Sequence, residues 1–598
     1  MRVEDGFQQT PTVEGNPYTA DPVLRGLLRR TLPTSVLQEV EPDLERFANE
    51  LIITVQLYSS QCTKPTVIQY DHYGRRIDNL QTSEGWRKLR DFSQREGIIG
   101  IFYERKFGEH SRSYGFAKML LATGDTQVIF CPLSMTDGCA RVIELHGTPA
   151  MKKEVYPRLI SRDPSQAFTS GQWMTERTGG SDVSQTETIA DPSSHTSNAT
   201  PLGPTYTLNG FKWFSSATDS DVALALGRTG PTSAGSRSLS LFLVPLRLPF
   251  PSKPSDPTPH PTSNGILIHR LKDKIGTQIL PTAELSLEDS EGYLIGPLNK
   301  GVKTITPVLN ITRIHSSISS IGYLRKCLAL ARSYSTSRTI NNDKVLLQDS
   351  PLHVAQLAKV ALVYRALTHL TFGAIRLLGR TECGCASDDE ERRLRMMTPT
   401  TKAFCAEMAV TAMEECMASM GGQGYMEETG IGRCIRDGLA EKIWEGTVTV
   451  LSLDLVRAAQ DPTNMKAFTD WTNSIITSCP ASLHGTLEKP LNLLKAALAD
   501  VSTVYSHPIP PLLPRPALLL VAQIATSIYL LEHALWSFNN SEIERDVDLE
   551  VFVRWVLEGG LREIIGEVNK TKTVGEEKMA MDNRIVYGSA GAPMKPKL

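Results

Sequence analysis

The period of the apolar residues changes twice along the 598 residues, near 166 and near 300, and that double switch sets the architecture. From about 17 to 60, Leu37, Val40, Leu44, Phe47, Leu51 and Ile52 recur at helical spacing behind a Pro-Thr-Ser start signal, and Trp86, Leu89 and Phe92 repeat the pattern. Asp71, Gly74, Arg75, Arg76, Ile77 and Asp78 read as a loop, so residues 1–165 are expected to form an all-helical domain. Beyond 166 the segments shorten. Tyr206, Leu208 and Phe211 surround an Asn209-Gly210 turn, Val222 to Leu226 and Leu239 to Val244 are continuous apolar runs, and Leu285 and Leu287 alternate with polar neighbours. Residues 166–295 therefore read as a hairpin-rich β domain, with Pro/Ser/Thr-rich surface loops near 191–205 and 248–264. From 296 to 460 the helical period returns in long segments, Leu324 to Tyr334, Val354 to Leu378 and Ala403 to Met420, whose short connections favour an antiparallel bundle. A further helical unit fills 461–598. The fold class is mainly α with a central β domain.

The chain is too long for one core. Its formal net charge of −2 supplies no basic field for nucleic acid or an anionic membrane. Of ten cysteines only Cys383 and Cys385 lie close together, and two ligands without a second pair do not close a tetrahedral site, so no metal is expected. The early acids of the N-terminus fit neither a secretory signal nor a transit peptide. The apolar run from Pro516 to Leu531 is interrupted by Gln523, Thr526 and Ser527, which predicts a buried helix and no membrane span.

Three stretches carry chemistry. Gly421, Gly422 and Gly424 allow backbone to approach a ligand closely, and downstream Glu445 stands between Trp444 and Gly446. Thr447, Thr449 and the apolar stripe that follows open a helix, so Glu445 is placed at a helix N-terminus facing a pocket; the plainer alternative is an acid favoured there by the helix dipole. Earlier, Met174, Thr175 and Glu176 end a strand, and Gly179 to Asp182 form a tight loop whose amides and Ser181 hydroxyl can meet an anionic or carbonyl oxygen. An ordinary Gly-Gly-Ser turn is the alternative. About 40 residues on, Trp213 and Ser215 set a flat aromatic beside a hydroxyl, which suits a flavin, or Trp213 is simply core.

In this order and spacing the three stretches resemble the acyl-CoA dehydrogenase family, and most closely its AidB-like subgroup. The subgroup marks are the Met-Thr-Glu-x-x-Gly-Gly-Ser-Asp-Val loop, Lys-Trp-Phe at 212–214, LKDKIG at 271–276, Thr312-Arg313, Trp444 and YDHYGRRID near 70. The resemblance implies an N-terminal helical domain, a middle β-barrel and a four-helix bundle, here with a C-terminal helical extension. It implies FAD, with Met174 and Thr175 at the pyrimidine edge, Gly180 and Ser181 on the phosphate side, Trp213 stacking, Ser215 at the polar edge, and Thr447 and Thr449 approaching the cofactor. Gly421, Gly422, Gly424 and Arg338 would touch the FAD of a neighbouring subunit, implying a homodimer or homotetramer. Arg338 is followed by Thr339, Ile340, Asn341 and Asn342 where the family usually has Arg-x-x-Phe-Gly, which weakens that contact.

The implied reaction is α,β-dehydrogenation of an acyl-CoA thioester, with Glu445 as base, hydride transfer to flavin, and electron-transfer flavoprotein or oxygen as acceptor. Some relatives carry the base where this chain has Thr312, which cannot act as one. Arg313 would orient the thioester, or form a helix-surface ion pair. The alternative function is an AidB-like nucleic-acid-associated flavoprotein with vestigial activity. It requires a basic C-terminal unit, whereas acids slightly outnumber bases beyond 461, including Glu542, Glu544, Asp546, Asp548 and Glu550. The final Pro596-Lys597-Leu598 approximates a Ser-Lys-Leu address, giving a peroxisomal expectation, with a cytoplasmic location as the alternative.

Overall fold

A computed structural model describes residues 15–193, 201–251, 262–341, 344–506 and 508–588. Asn342, parts of both Pro/Ser/Thr-rich loops and the terminal Pro596-Lys597-Leu598 lie outside the described residues.

Helices Pro22–Thr31, Thr34–Glu50 and Glu84–Arg95 open the chain. Asp21 caps the first by accepting from the Val23 and Leu24 amides, and Ser83 caps the third through the Trp86 amide. Leu24, Leu28, Leu44, Phe47, Trp86 and Leu89 are buried along their apolar faces. The expectation of an all-helical start is corrected by an antiparallel hairpin, β1 (Thr66–Tyr70) and β2 (Arg76–Gln81). β-branched Thr66, Val67 and Ile68 favour the strand, and Asp71 makes the turn by accepting from the Tyr73 and Arg75 amides. The hairpin reaches into the middle domain: the Gln69 amide group (2.7 Å) and the Arg76 guanidinium (2.6 Å) donate to the Ile268 carbonyl, and the Ile268 amide donates to Asp78 at 2.9 Å.

The middle domain is built from β3 (Ser170–Trp173), β4 (Ile189–Pro192), β5 (Thr205–Ser216), β6 (Val222–Arg228), β7 (Leu239–Pro245), the short pair β8 (Arg247–Leu248) and β9 (Thr262–Ser263), β10 (Ile266–Leu271) and β11 (Thr282–Ile295). β11 pairs with β5, β5 with β4, β4 with β6, β6 with β7, and β7 with β11, a closed circuit with β3 and β10 laid alongside. Closure leaves the largely apolar β6 and β7 buried along their whole length. The expected Asn209-Gly210 turn is absent. β5 runs straight through it, because Asn209 exchanges hydrogen bonds with Asp289 on β11 (3.1 and 2.8 Å) beside a register shift between Leu287 and Ser290.

Helices Gly301–Ser337, Pro351–Glu382 and Asp388–Ser419 pack with the shorter Ile431–Glu441 and Val448–Ala459 as a bundle. Asp388–Ser419 starts on a capping box between Ser387 and Glu390, with four acids in its first turn where the helix dipole favours them. Beyond 461, helix Pro514–Asn539 is the apolar segment expected to be buried: its most apolar 18-residue window is 89% buried inside the protein. It packs against the bundle and the surrounding extension helices.

Candidate active site

Glu445 lies in the connection between helices Ile431–Glu441 and Val448–Ala459. Thr447 caps the second helix, its hydroxyl accepting from the Val450 amide at 3.3 Å, so Glu445 precedes the cap by two residues. Glu445 (φ +56°) and Gly446 (φ +103°) are both left-handed, and for a glutamate that backbone costs roughly 1–2 kcal/mol. Such a conformation persists only where its surroundings impose it, and side chains hold it from three directions. The Thr312 hydroxyl donates to Glu445 Oε2 at 2.6 Å, and the Lys402 ammonium donates to the Gly446 carbonyl at 2.6 Å. The Trp444 indole N–H donates to Glu441 Oε2, which also accepts from the Ser316 hydroxyl at 2.6 Å. Glu441 and Lys402 are each 1% exposed. Burial pushes the Glu441 carboxyl up, with Glu445 adding to the shift, and burial pushes the Lys402 ammonium down.

One further group, Cys131, feels these charges, and Lys274 acts on it in turn. Burial pushes the Cys131 thiol up, and Glu441, Lys274 and Glu445 act on it electrostatically. Burial lowers the Lys274 ammonium to about 8 against the opposing pull of Cys131 and Asp437. Lys274 donates to the Leu280 carbonyl (2.7 Å) and to the Thr282 hydroxyl (2.9 Å), and Thr282 hydrogen-bonds Ser216 at 3.1 Å, next to Ser215 on β5.

The predicted flavin residues meet at the end of β3. The Trp213 amide donates to the Thr175 carbonyl at 2.9 Å, and a Cβ on Gly180 would stand 2.9 Å from the Thr175 hydroxyl, so residues 174–175, 180–181 and 213 are adjacent. Met174, Thr175 and Trp213 are half-buried, while Gly180 and Ser181 are exposed. Glu176 turns inward, accepting from Lys212 Nζ (2.7 Å), the Thr188 hydroxyl (2.6 Å) and the Glu187 amide (2.5 Å). Burial would raise its carboxyl, but Lys212 and these donors hold it below the ordinary value. Ser215 is fully buried and its hydroxyl oxygen has no hydrogen-bond partner among the described residues. A buried, unsatisfied hydroxyl beside a half-buried indole is what an absent ring with polar edges would complete, so the residues fit a flavin. Lys272, given no role of its own within the LKDKIG motif, has its ammonium 3.3 Å from the centroid of the Trp213 ring and pairs with Glu284 at 2.6 Å.

The LKDKIG stretch locks the barrel to the bundle. A Cβ at Gly276 would fall 2.0 Å from the Arg436 carbonyl oxygen, and the Thr277 amide donates to Asp437 at 2.6 Å. Arg436 itself pairs with Glu427 (2.6 Å) and Arg433 with Asp437 (3.2 Å).

Other predicted residues stand apart. Arg313 forms an ion pair with Asp454 at 2.7 Å, and Asp454 also binds Arg395 at 2.8 Å. Gly421 and Gly422 are exposed on the short helix Gly421–Tyr425, whereas Gly424 packs against the Met417 carbonyl. Arg338 is half-buried just past helix Gly301–Ser337, and Thr449 is exposed in the first turn after Thr447. Glu441, Lys402, Ser316, Cys131 and Lys274 were missed. The available signal was Glu441 one helical turn before Glu445, and Ser316 one turn after Thr312.

Residues 299–460 match the family description "Acyl-CoA dehydrogenase, C-terminal domain", residues 171–290 "Acyl-CoA dehydrogenase, middle domain" and residues 8–164 "Adaptive response protein AidB N-terminal domain". The chain is 35% identical to acyl-CoA dehydrogenase family member 11 of Caenorhabditis elegans, over 99% of this chain and 95% of that protein. It is 28% identical to the putative acyl-CoA dehydrogenase AidB of Escherichia coli, over 66% of this chain and 69% of that protein. The crystal structure of C. elegans ACDH-11 in complex with C11-CoA superposes with a TM-score of 0.87 at 35% identity, covering 98% of each chain. A Bacillus anthracis acyl-CoA dehydrogenase complexed with FAD shares the fold at 16% identity and a TM-score of 0.69, covering 94% of this chain and 93% of that one. With its barrel, its bundle and its length all matched, the chain belongs to the acyl-CoA dehydrogenase family, FAD-dependent oxidoreductases that act on CH–CH bonds.

Proposed function

We propose that this protein is an FAD-dependent acyl-CoA dehydrogenase in which Glu445 is the base. The observation that carries the reading is the 2.6 Å contact between Thr312 and Glu445: the two positions at which the family resemblance places a base converge on one point, and only one of them holds a carboxylate. Met174, Thr175, Gly180, Ser181, Trp213 and Ser215 would hold the flavin. When bound, FAD supplies the acceptor for the hydride leaving the β-carbon. Glu445 takes the proton next to the thioester carbonyl, and the Thr312 hydrogen bond keeps the accepting carboxylate at a fixed angle. Trp444, half-buried beside it, limits water at the reacting carbons.

The thioester is read as an acyl-CoA because the related ACDH-11 was crystallised with C11-CoA. The exposed Gly421, Gly422 and Tyr425 and the half-buried Arg338 support sites completed across a homodimer or homotetramer interface. The test is anaerobic bleaching of the purified yellow protein with a panel of acyl-CoAs, together with light scattering. No bleaching with any chain length would overturn the activity, and a flavin-loaded monomer would overturn the shared site.

A further inference from the structure

Residues 444, 445 and 446 form a strained turn, and each is tied from outside by one side chain. Thr312 and Ser316 stand one turn apart on helix Gly301–Ser337 and reach Glu445 and Glu441 respectively, both at 2.6 Å. Glu441 ends helix Ile431–Glu441 and receives the Trp444 indole N–H. Lys402, on helix Asp388–Ser419, reaches the Gly446 carbonyl at 2.6 Å. No carboxylate pairs directly with Lys402 among the described residues, although Glu441 and Glu445 attract it at longer range, and its one close hydrogen bond is to the backbone of the turn. A lysine buried with its close hydrogen bond on a backbone carbonyl, and a glutamate buried with its bonds on an indole and a serine, are costly to bury, and the attraction between the two offsets only part of that cost. Their shared feature is the turn between them.

Resting on the reading of Glu445 as base, we propose that Glu441 and Lys402 are positioning residues that clamp the two neighbours of Glu445, Trp444 and Gly446, and thereby hold the base in its left-handed turn. Glu441 acts through the Trp444 indole and Lys402 through the Gly446 carbonyl, so losing either lets the turn relax toward a right-handed backbone and swings the carboxylate away from the α-carbon. A displacement of that kind lowers kcat while leaving the grip on the rest of the thioester, and hence KM, in place.

The experiment compares E441Q with E441L, K402R with K402M, and W444F, all as FAD-loaded protein. Kinetics are followed alongside the indole 15N–1H resonance of Trp444, which reads its hydrogen bond without any turnover. E441L, K402M and W444F are expected to lower kcat by roughly tenfold to a hundredfold with little change in KM. E441Q, which still accepts from Ser316 and Trp444, and K402R, which still donates to Gly446, should recover most of that loss. The Trp444 indole resonance should move in E441L and stay near its wild-type position in E441Q. W444F keeps a ring in place and serves where a buried-charge variant does not fold. Folded, flavin-loaded E441L and W444F with wild-type kcat would overturn the clamp, as would an indole resonance unmoved in E441L. A wild-type protein that bleaches with no acyl-CoA contradicts the dehydrogenase reading alone, because the indole resonance still reports the clamp.

Discussion

Thr312 and Glu445 lie 133 residues apart in the chain and 2.6 Å apart in space, the hydroxyl donating to Oε2. The carboxylate is therefore oriented by a helix of the bundle although it stands on a connection between two others.

E445Q is expected to keep FAD and lose turnover by roughly 10²-fold or more, the size of a general base's contribution. T312V should cost less, about three- to tenfold, because it removes orientation and leaves the base. Since the two positions converge, the exchange T312E/E445T should recover part of the activity lost in E445Q. Stopped-flow flavin bleaching measures all three, and undiminished turnover in E445Q would remove Glu445 from the mechanism.

The buried Ser215 hydroxyl gives a sign that differs between apo and holo protein. An unsatisfied buried hydroxyl costs about 1–3 kcal/mol, so S215A should raise the melting temperature of the apoprotein yet weaken FAD binding. W213A/S181A should lower FAD occupancy, read as the ratio of flavin to protein absorbance. Full occupancy in that double variant contradicts the placement of the cofactor.

Lys212 and Glu176 form a fully buried pair 2.7 Å apart under the flavin loop. K212M leaves the carboxylate uncompensated and is expected to destabilise the barrel by about 3–5 kcal/mol, while K212M/E176Q restores part of it. Limited proteolysis and thermal melts separate the two variants; equal stability would show the pair to be unimportant.

His369 and His533 are buried with ring centroids 4.3 Å apart. Burial lowers both below the ordinary 6.5, and Arg30 and Arg365 deepen the shift, while Asp548, 3.5 Å from His533, opposes it at the second ring. The unfolded chain binds these protons at a pH where the folded chain does not, so their stability is complete above 6.5 and declines as pH falls below it. The urea midpoint should drop between about pH 7 and 5, and H369Q should shrink that drop. A midpoint flat over this range in the wild type would contradict the assignment.

The long helices and the strands β6, β7 and β11 were legible because burial on all sides, or on one stripe, writes itself into the spacing of apolar residues. Asn209-Gly210 misled because a turn dipeptide carries the same letters when Asn209 pairs across a bulge with Asp289. The hairpin Thr66–Gln81 was hidden by polar residues whose partners, such as Ile268, lie some 190 positions away. Glu445, Trp213 and Thr175 could be picked out from ordered motifs. Glu441 was signalled only by its spacing one turn before Glu445, and Lys402 not at all, since the backbone carbonyl it reaches, Gly446, lies 44 residues on and meets it only in the fold.

Helix Pro514–Asn539 also bears on where this chain can be cut. Its Tyr529 ring packs on Gly373 of the bundle and against Trp471 of the extension. A fragment ending at Ala459, the length of a family core, would carry a raw apolar flank where this helix had lain. Such a truncation would be expected to clump on expression, so an engineer seeking a smaller catalyst would have to redesign that flank before removing the tail.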